Sequence, residues 1–343
     1  MLIFLLIPKA LITLSLVSLV CLGSWITTFK LAGKRWRFEL FSIDFALGAV
    51  LLSLLTAFTV GGTAADLPFS DRVLLSSKTA QALVFSAGFI FGLANLLLLG
   101  AVSFLGIAGA FPICIGLGFI IHALLNFSSY SSGAGLAGLA FLAAGVLLGM
   151  SACRSRDLAV SPAKKPTNQT AKTAGARSIK GFIVALIAGI LLGFIYYVAE
   201  GGIYSDLGLG PYAGLLYFCV GILISTLIFS IVFFNIALEG GKLSPRSYLT
   251  GSFRQHVMGI AGGILWSVGI LTAFFAQVKA ADTGRVQALI SVLPIASALL
   301  ALLWGFVIWK EFAAAPGKAR LSLMGAASLL VGSCLLIALA RAH

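Results

Sequence analysis

Apolar runs of about 20 residues, parted by short polar breaks, fill this chain from end to end. Ten can be drawn, at about 5–27, 43–62, 79–100, 102–124, 133–151, 181–200, 212–236, 257–276, 286–308 and 322–341. A helix crossing a bilayer needs roughly 20 mainly apolar residues, because hydrocarbon offers backbone N–H and C=O groups no partner and a helix satisfies its own. The pattern predicts an all-α polytopic membrane protein with ten transmembrane helices. Only residues 152–180 make a polar segment of any length, so a soluble catalytic domain has no room. No Gly-rich phosphate loop, paired-histidine metal motif or GxS pattern with a histidine partner occurs in the chain, so it is not expected to be an enzyme. The expected task is to move a small solute across the bilayer.

The stretch from Ser161 to Lys180 (SPAKKPTNQTAKTAGARSIK) is basic and contains proline, a linker composition. It splits the runs five and five: a first five-helix repeat over 1–151, a cytoplasmic basic linker over 152–180 and a second five-helix repeat over 181–343. An odd number of crossings per half turns the second half over, which predicts two inverted repeats. Folds of that kind hold substrate near mid-membrane and work by alternating access. Each half has a hairpin rich in Gly, Ala and Ser: GLANLLLLGAVSFLGIAGAFPI from Gly92, and GGILWSVGILTAFFAQ from Gly262 followed by VQALISVLPIASALL. Pro112 and Pro294 fall partway along the returning helices. The plainer reading of these small residues is close helix packing.

Hydrophobic residues make up 60% of the chain and charged ones 10%, against about one quarter charged in soluble domains. The net charge of +13 would point to nucleic acid in a soluble protein. Here it follows topology, because 17 of the 23 Lys and Arg residues, Arg35, Arg37, Arg154, Arg156, Lys242 and Lys318 among them, lie in loops after odd-numbered runs. The positive-inside rule puts those loops in the cytoplasm and both termini outside, in a cytoplasmic (inner) membrane. The first run lacks the basic leader and small-residue cleavage pattern of a signal peptide. Cys21, Cys114, Cys153, Cys219 and Cys334 show no paired spacing, and His122, His256 and His343 are scattered. No metal and no cofactor is expected. The expected partners are a small-molecule substrate and the lipid bilayer, with no nucleic acid, for a monomer or homodimer.

A polar group inside a span is costly and so a functional candidate by default. Asn95, in the third run, offers an amide that donates to and accepts from a carbonyl- or hydroxyl-bearing solute; its structural reading is a hydrogen bond to a neighbouring helix. Trp25 and Trp266 lie beside small residues, in GSW and GGILWSVG, which leave each ring room to face a cavity. Together with Asn95 and Tyr196 they form the expected substrate-binding set. Glu200 ends the sixth run in YYVAEGG, beside Tyr196 and Tyr197. In an apolar setting it takes up a proton from outside; its plainer reading is a solvated helix-end acid. Asp44 is read as an anion at the start of the second helix, where the dipole favours it.

Four stretches, CLGSWITTFKLAGKRWRFELFSIDFALG from Cys21, GLGPYAGLLYFCVG from Gly208, GSFRQHVMGIAGGILWSVG from Gly251 and LLWGFVIWKEF from Leu302, resemble the drug/metabolite transporter superfamily. The likeness is to its bacterial glucose/ribose-porter-like members and the related ureide permeases. It implies ten helices in two inverted five-helix repeats and secondary, often proton-coupled, transport of a small polar metabolite, a sugar or a ureide or nucleobase-like compound. Ala273 stands where similar bacterial sequences tend to carry Asn, and 152–180 lacks the phosphate-loop-like motif of the plant permeases. The rival readings are a multidrug or metabolite exporter of the same fold and a non-transporting membrane scaffold. Small exporters of the superfamily rely on a Glu in the first helix, and the first run here has no carboxylate.

Overall fold

The apolar runs become helices wherever the structure, a computed structural model, describes the chain: residues 9–63, 67–160, 168–236, 238–280 and 284–342. Among these residues no strand occurs, and nine helices are long and apolar enough to cross a membrane, so the chain is a multi-pass membrane protein. Helix α1 is Lys9–Ser24, continued past a short break by α2 (Thr27–Ala32). Then come α3 (Phe38–Phe58), α4 (Phe69–Leu75), α5 (Lys78–Leu105), α6 (Ile107–Leu125), α7 (Gly133–Val160) and α8 (Asn168–Ile203). The remainder is α9 (Gly210–Asn235), α10 (Arg246–Leu249), α11 (Phe253–Ala280), α12 (Gly284–Ser291), α13 (Leu293–Leu303) with a π-helical turn at Trp304–Ile308, and α14 (Gly317–Arg341).

Two stretches differ from the sequence reading. The run at 286–308 is not one helix, because α12 stops at Ser291 and α13 restarts with Pro294 in its first turn. Proline has no N–H to give and its ring clashes with the carbonyl four residues back, so the ladder breaks before it; in a first turn no N–H is missed. The expected linker is largely helical where described: α7 runs on to Val160, and α8 starts at Asn168 through Gln169, Ala171, Lys172, Ala174 and Ala176. These are good helix formers. Residues 161–167 lie outside the described residues.

Packing groups the chain into two units, Met1–Leu96 with Phe194–Thr283, and Leu97–Gly193 with Gly284–His343, so each unit draws on both halves of the sequence. In the first, α11 packs on α1, α2, α3 and α9, and α3 also packs on α9. The backbones approach as closely as glycine permits: a Cβ on Gly263 would strike the Phe45 carbonyl, and one on Gly48 the Ile260 carbonyl. Without a hydrophobic force between helices in lipid, such close van der Waals contact is what holds them together. The opening part of α5 meets α9 likewise, Gly88 against Phe218 and Gly221 against Phe85. Outward faces are apolar, with Leu51, Leu55 and Ile231 exposed where acyl chains would lie.

In the second unit α7 packs along α14, and α6 packs on both α7 and α13. Gly106, with φ +79°, turns the chain from α5 into α6 with no loop. Glu311, just past the π-helical turn, accepts hydrogen bonds from the Ile107 and Ala108 N–H groups at 2.9 Å each. Its carboxylate satisfies amides that a helix start leaves without an intrahelical partner, at the positive end of the helix dipole.

Candidate functional site

In the first unit, Trp266 of α11 is buried among Phe45 of α3, Phe91 of α5 and Phe218 of α9, at ring-centroid distances of 5.7, 4.7 and 6.0 Å. Trp25, in the break between α1 and α2, joins the cluster through Phe45 at 4.9 Å. Both indoles are buried, 2% and 3% exposed for Trp25 and Trp266. Asn95 lies one helical turn beyond Phe91 on α5 and is also buried. Among the described residues its Oδ1 has no hydrogen-bond partner, and neither does Ser225 Oγ on α9. Gly92 of α5 lies directly against Ser225. A buried oxygen without a donor costs about 1–3 kcal/mol. Two of them on adjoining helices, beside stacked rings, make an apolar-walled patch suited to a solute that brings its own O–H or N–H groups.

Of the residues singled out from sequence, Trp25 and Trp266 thus fall in one cluster, and Asn95 sits on the helix that supplies Phe91 to it. Tyr196 and Glu200 belong to α8, and their side chains lie outside the described residues. A cavity of about 390 Å³ in the second unit is lined by the apolar Met150, Leu158, Ile179 and Phe182 and by the polar Ser151, Arg154, Asp157 and Ser178. Among the described residues, no cluster of three His, Cys, Asp or Glu side chains is arranged to hold a metal ion.

Asp44 is a correction to the sequence reading. Helix α3 starts at Phe38 with Arg37 as its N-cap residue, so Asp44 lies almost two turns inside, too deep to cap the helix. It is fully buried. Its Oδ2 accepts a hydrogen bond from Trp36 Nε1 at 3.0 Å; its Oδ1 accepts from the Tyr248 hydroxyl at 2.6 Å and faces His256 Nδ1 at 2.9 Å. The three donor rings brace one another, Trp36 and Tyr248 each meeting His256 edge-on at 4.8 Å. A carboxylate survives inside an apolar span because charge-assisted bonds of this kind replace its water. Burial, and the bond it donates to Asp44, push the Tyr248 hydroxyl well above its ordinary pKa, which keeps it a neutral donor. On the same helix Glu39 is buried and paired with Arg37 at 2.5 Å.

Sequence reasoning missed this cluster because the partners of Asp44 on α10 and α11 are 204 and 212 residues away. The available signal was a carboxylate inside the second apolar run, a functional candidate by default.

A solved structure described only as "Crystal structure of protein" is similar in fold, with a TM-score of 0.58 at 15% identity over 98% of this chain and 99% of that one. At that identity the likeness concerns the fold alone. No family model matches the chain, and no curated protein does.

Proposed function

We propose that the protein is a secondary transporter that carries a small polar metabolite, a sugar or a ureide or nucleobase-like compound, across the inner membrane by alternating access. The observation that carries this reading is the pair of unpartnered oxygens, Asn95 Oδ1 and Ser225 Oγ, buried in the unit that holds the Trp266 ring cluster. A solute's hydroxyl or N–H groups satisfy the oxygens, and the rings take its flat or CH-rich face.

Two sets of contacts support ten crossings and inverted repeats. Numbering the ten apolar runs as spans, α3 packs on α9, α6 on α13 and α7 on α14. These are second with seventh, fourth with ninth and fifth with tenth, the pairing a two-fold relation between halves would produce. The ends that touch also share parity. Glu311 follows the ninth span and binds Ile107, in the opening part of the fourth; Tyr248 follows the seventh and binds Asp44, at the opening of the second. At the opposite parity, Ser77 N–H donates to the Leu207 carbonyl, joining the segments after the second and sixth spans. Arg341 lies over the Tyr130 ring, joining those after the fourth and tenth. The broken segment of α12, α13 and the π-helical turn therefore counts as a full crossing. The basic parity faces the cytoplasm.

The test is uptake into proteoliposomes holding the full chain, with labelled sugars and nucleobase derivatives offered side by side. One class is expected to enter, and Asn95→Leu to weaken its apparent affinity by about 5- to 150-fold, the equivalent of about 1–3 kcal/mol for a hydrogen bond left unpaired. Unchanged affinity in a correctly inserted Asn95→Leu chain removes Asn95 from the site. No uptake or exchange of any small solute by folded protein refutes the reading.

A further inference from the structure

We infer that Asp44 and His256 form a proton-binding site that couples the transport proposed above to pH, with His256 passing the proton between solvent and the buried carboxylate. The inference rests on that transport reading and assigns its coupling site. Two groups with opposite exposure are in direct contact: the Asp44 side chain is 1% exposed and that of His256 26%. The imidazole meets Asp44 Oδ1 through Nδ1 at 2.9 Å. Its other nitrogen, Nε2, lies at the loop before α11, where a Cβ added to Gly251 would stand 2.6 Å from it. Gly251 thus packs closely against that edge of the ring and against Trp36, and the part of the His256 side chain that stays exposed gives the pair its access to solvent.

The transfer balances within one ring. Water delivers a proton to Nε2, and the proton on Nδ1 moves to Asp44 Oδ1. The imidazole ends neutral as the other tautomer and the carboxyl ends neutral; the reverse steps release the proton. The titratable groups facing Asp44 are His256 from α11 and Tyr248 from α10, with Trp36 as a non-titrating donor. Helix α11 adds the cation Arg254 in its first turn and α2 adds Lys30, while Arg37 and Glu39 on the α3 side are paired with one another. At the α9 contact α3 meets a hydroxyl, Ser230, which reaches the Glu39 carbonyl.

A neutral carboxyl is a weaker acceptor than a carboxylate, so protonation loosens α10 and α11 from α3. That seam is continuous: His256 and Gly259 meet Asp44, Gly263 meets Phe45, and Ser267 donates to the Ala49 carbonyl. Trp266, the centre of the ring cluster, lies on the same helix about 15 Å from His256. A change at Asp44 is thus transmitted along one helix contact to the patch that would hold the solute.

The primary experiment needs no substrate, so its failure is separate from failure of the transport reading. Trp36 donates directly to Asp44, and its indole emission reports the carboxyl's state. Full-length protein in liposomes is titrated with acid and base, with Trp36→Phe identifying the signal. A single transition is expected as the pH is lowered. It should be absent in Asp44→Asn, restored in Asp44→Glu, and displaced in His256→Gln, where the imidazole that faces the carboxylate is lost. A merely structural carboxylate gives a flat trace in the native chain, or a transition unchanged by Asp44→Asn, and either result overturns the site. If Asp44→Asn does not fold, His256→Gln decides, an undisplaced transition being the overturning result. Once a solute is identified, a pH gradient should drive its accumulation in the native and Glu200→Gln chains. In Asp44→Asn, only solute-for-solute exchange should survive. Gradient-driven accumulation that is lost in Glu200→Gln and kept in Asp44→Asn moves the coupling site to α8 and overturns the assignment.

Discussion

Replacing Glu311 by alanine tests whether one carboxylate holds the start of α6. Its two oxygens each accept from a backbone amide at 2.9 Å, and the residues bearing those amides, Ile107 and Ala108, are 0% and 1% exposed. Without the side chain the amides face a space walled by Gly106 and Gly305, both of which lie against Glu311 Oε2. A hydrogen bond to a charged group contributes about 1.5–3 kcal/mol and a buried amide left alone costs about 1–3, while capping residues as a class are worth about 0.5–2. The two bonds share one side chain, and water entering the gap recovers part of the loss, so the expected destabilisation is about 2–4 kcal/mol. Glu311→Gln keeps one acceptor oxygen and should lose about half as much. The assay is thermal unfolding in detergent, read by a dye that fluoresces on reaction with thiols. Cys114 on α6 and Cys153 on α7 are buried, and Cys153 Sγ packs against Gly109, two residues from Ile107. Opening of the α6 start therefore exposes a reporter beside it. Expected is a lower transition temperature for Glu311→Ala, with Glu311→Gln between it and the native chain. A Glu311→Ala chain that melts with the native one, or a Glu311→Gln chain that melts below the Glu311→Ala chain, refutes the capping argument.

The α5–α9 crossing should not tolerate Gly88→Val, whose Cβ would strike the Phe218 carbonyl, so folded protein should be lost on size-exclusion chromatography. Gly241→Ala, with nothing within 4 Å of the added carbon, should melt within about 0.5 kcal/mol of the native chain. For orientation, a cysteine introduced as Thr170→Cys should escape an impermeant maleimide added to intact cells and react once they are opened; labelling in intact cells places the basic segment outside.

Chain order alone determined the membrane class. A run of about 20 apolar residues is a local property that needs no partner to be recognised, since each helix satisfies its own backbone. Among the described residues, nine of the ten runs therefore correspond to helices long enough to cross a membrane. The basic residues that mark one side are equally local. The ninth run shows the limit: Pro294 was visible in the sequence, but whether a proline kinks a helix, breaks it or starts a new one depends on the packing around it, and here it begins α13. The candidate site was only partly legible. An aromatic set among glycines can be found by inspection, yet Trp25 and Trp266 meet through Phe45, which nothing in the sequence distinguishes from the other phenylalanines. Asp44 could be seen as a carboxylate near a helix start. That it is buried and bonded to Tyr248 and His256, over 200 residues away, was decided by the tertiary structure. Close glycine contacts bring α3 and α11 together, and a buried charge persists only where folding delivers donors to it.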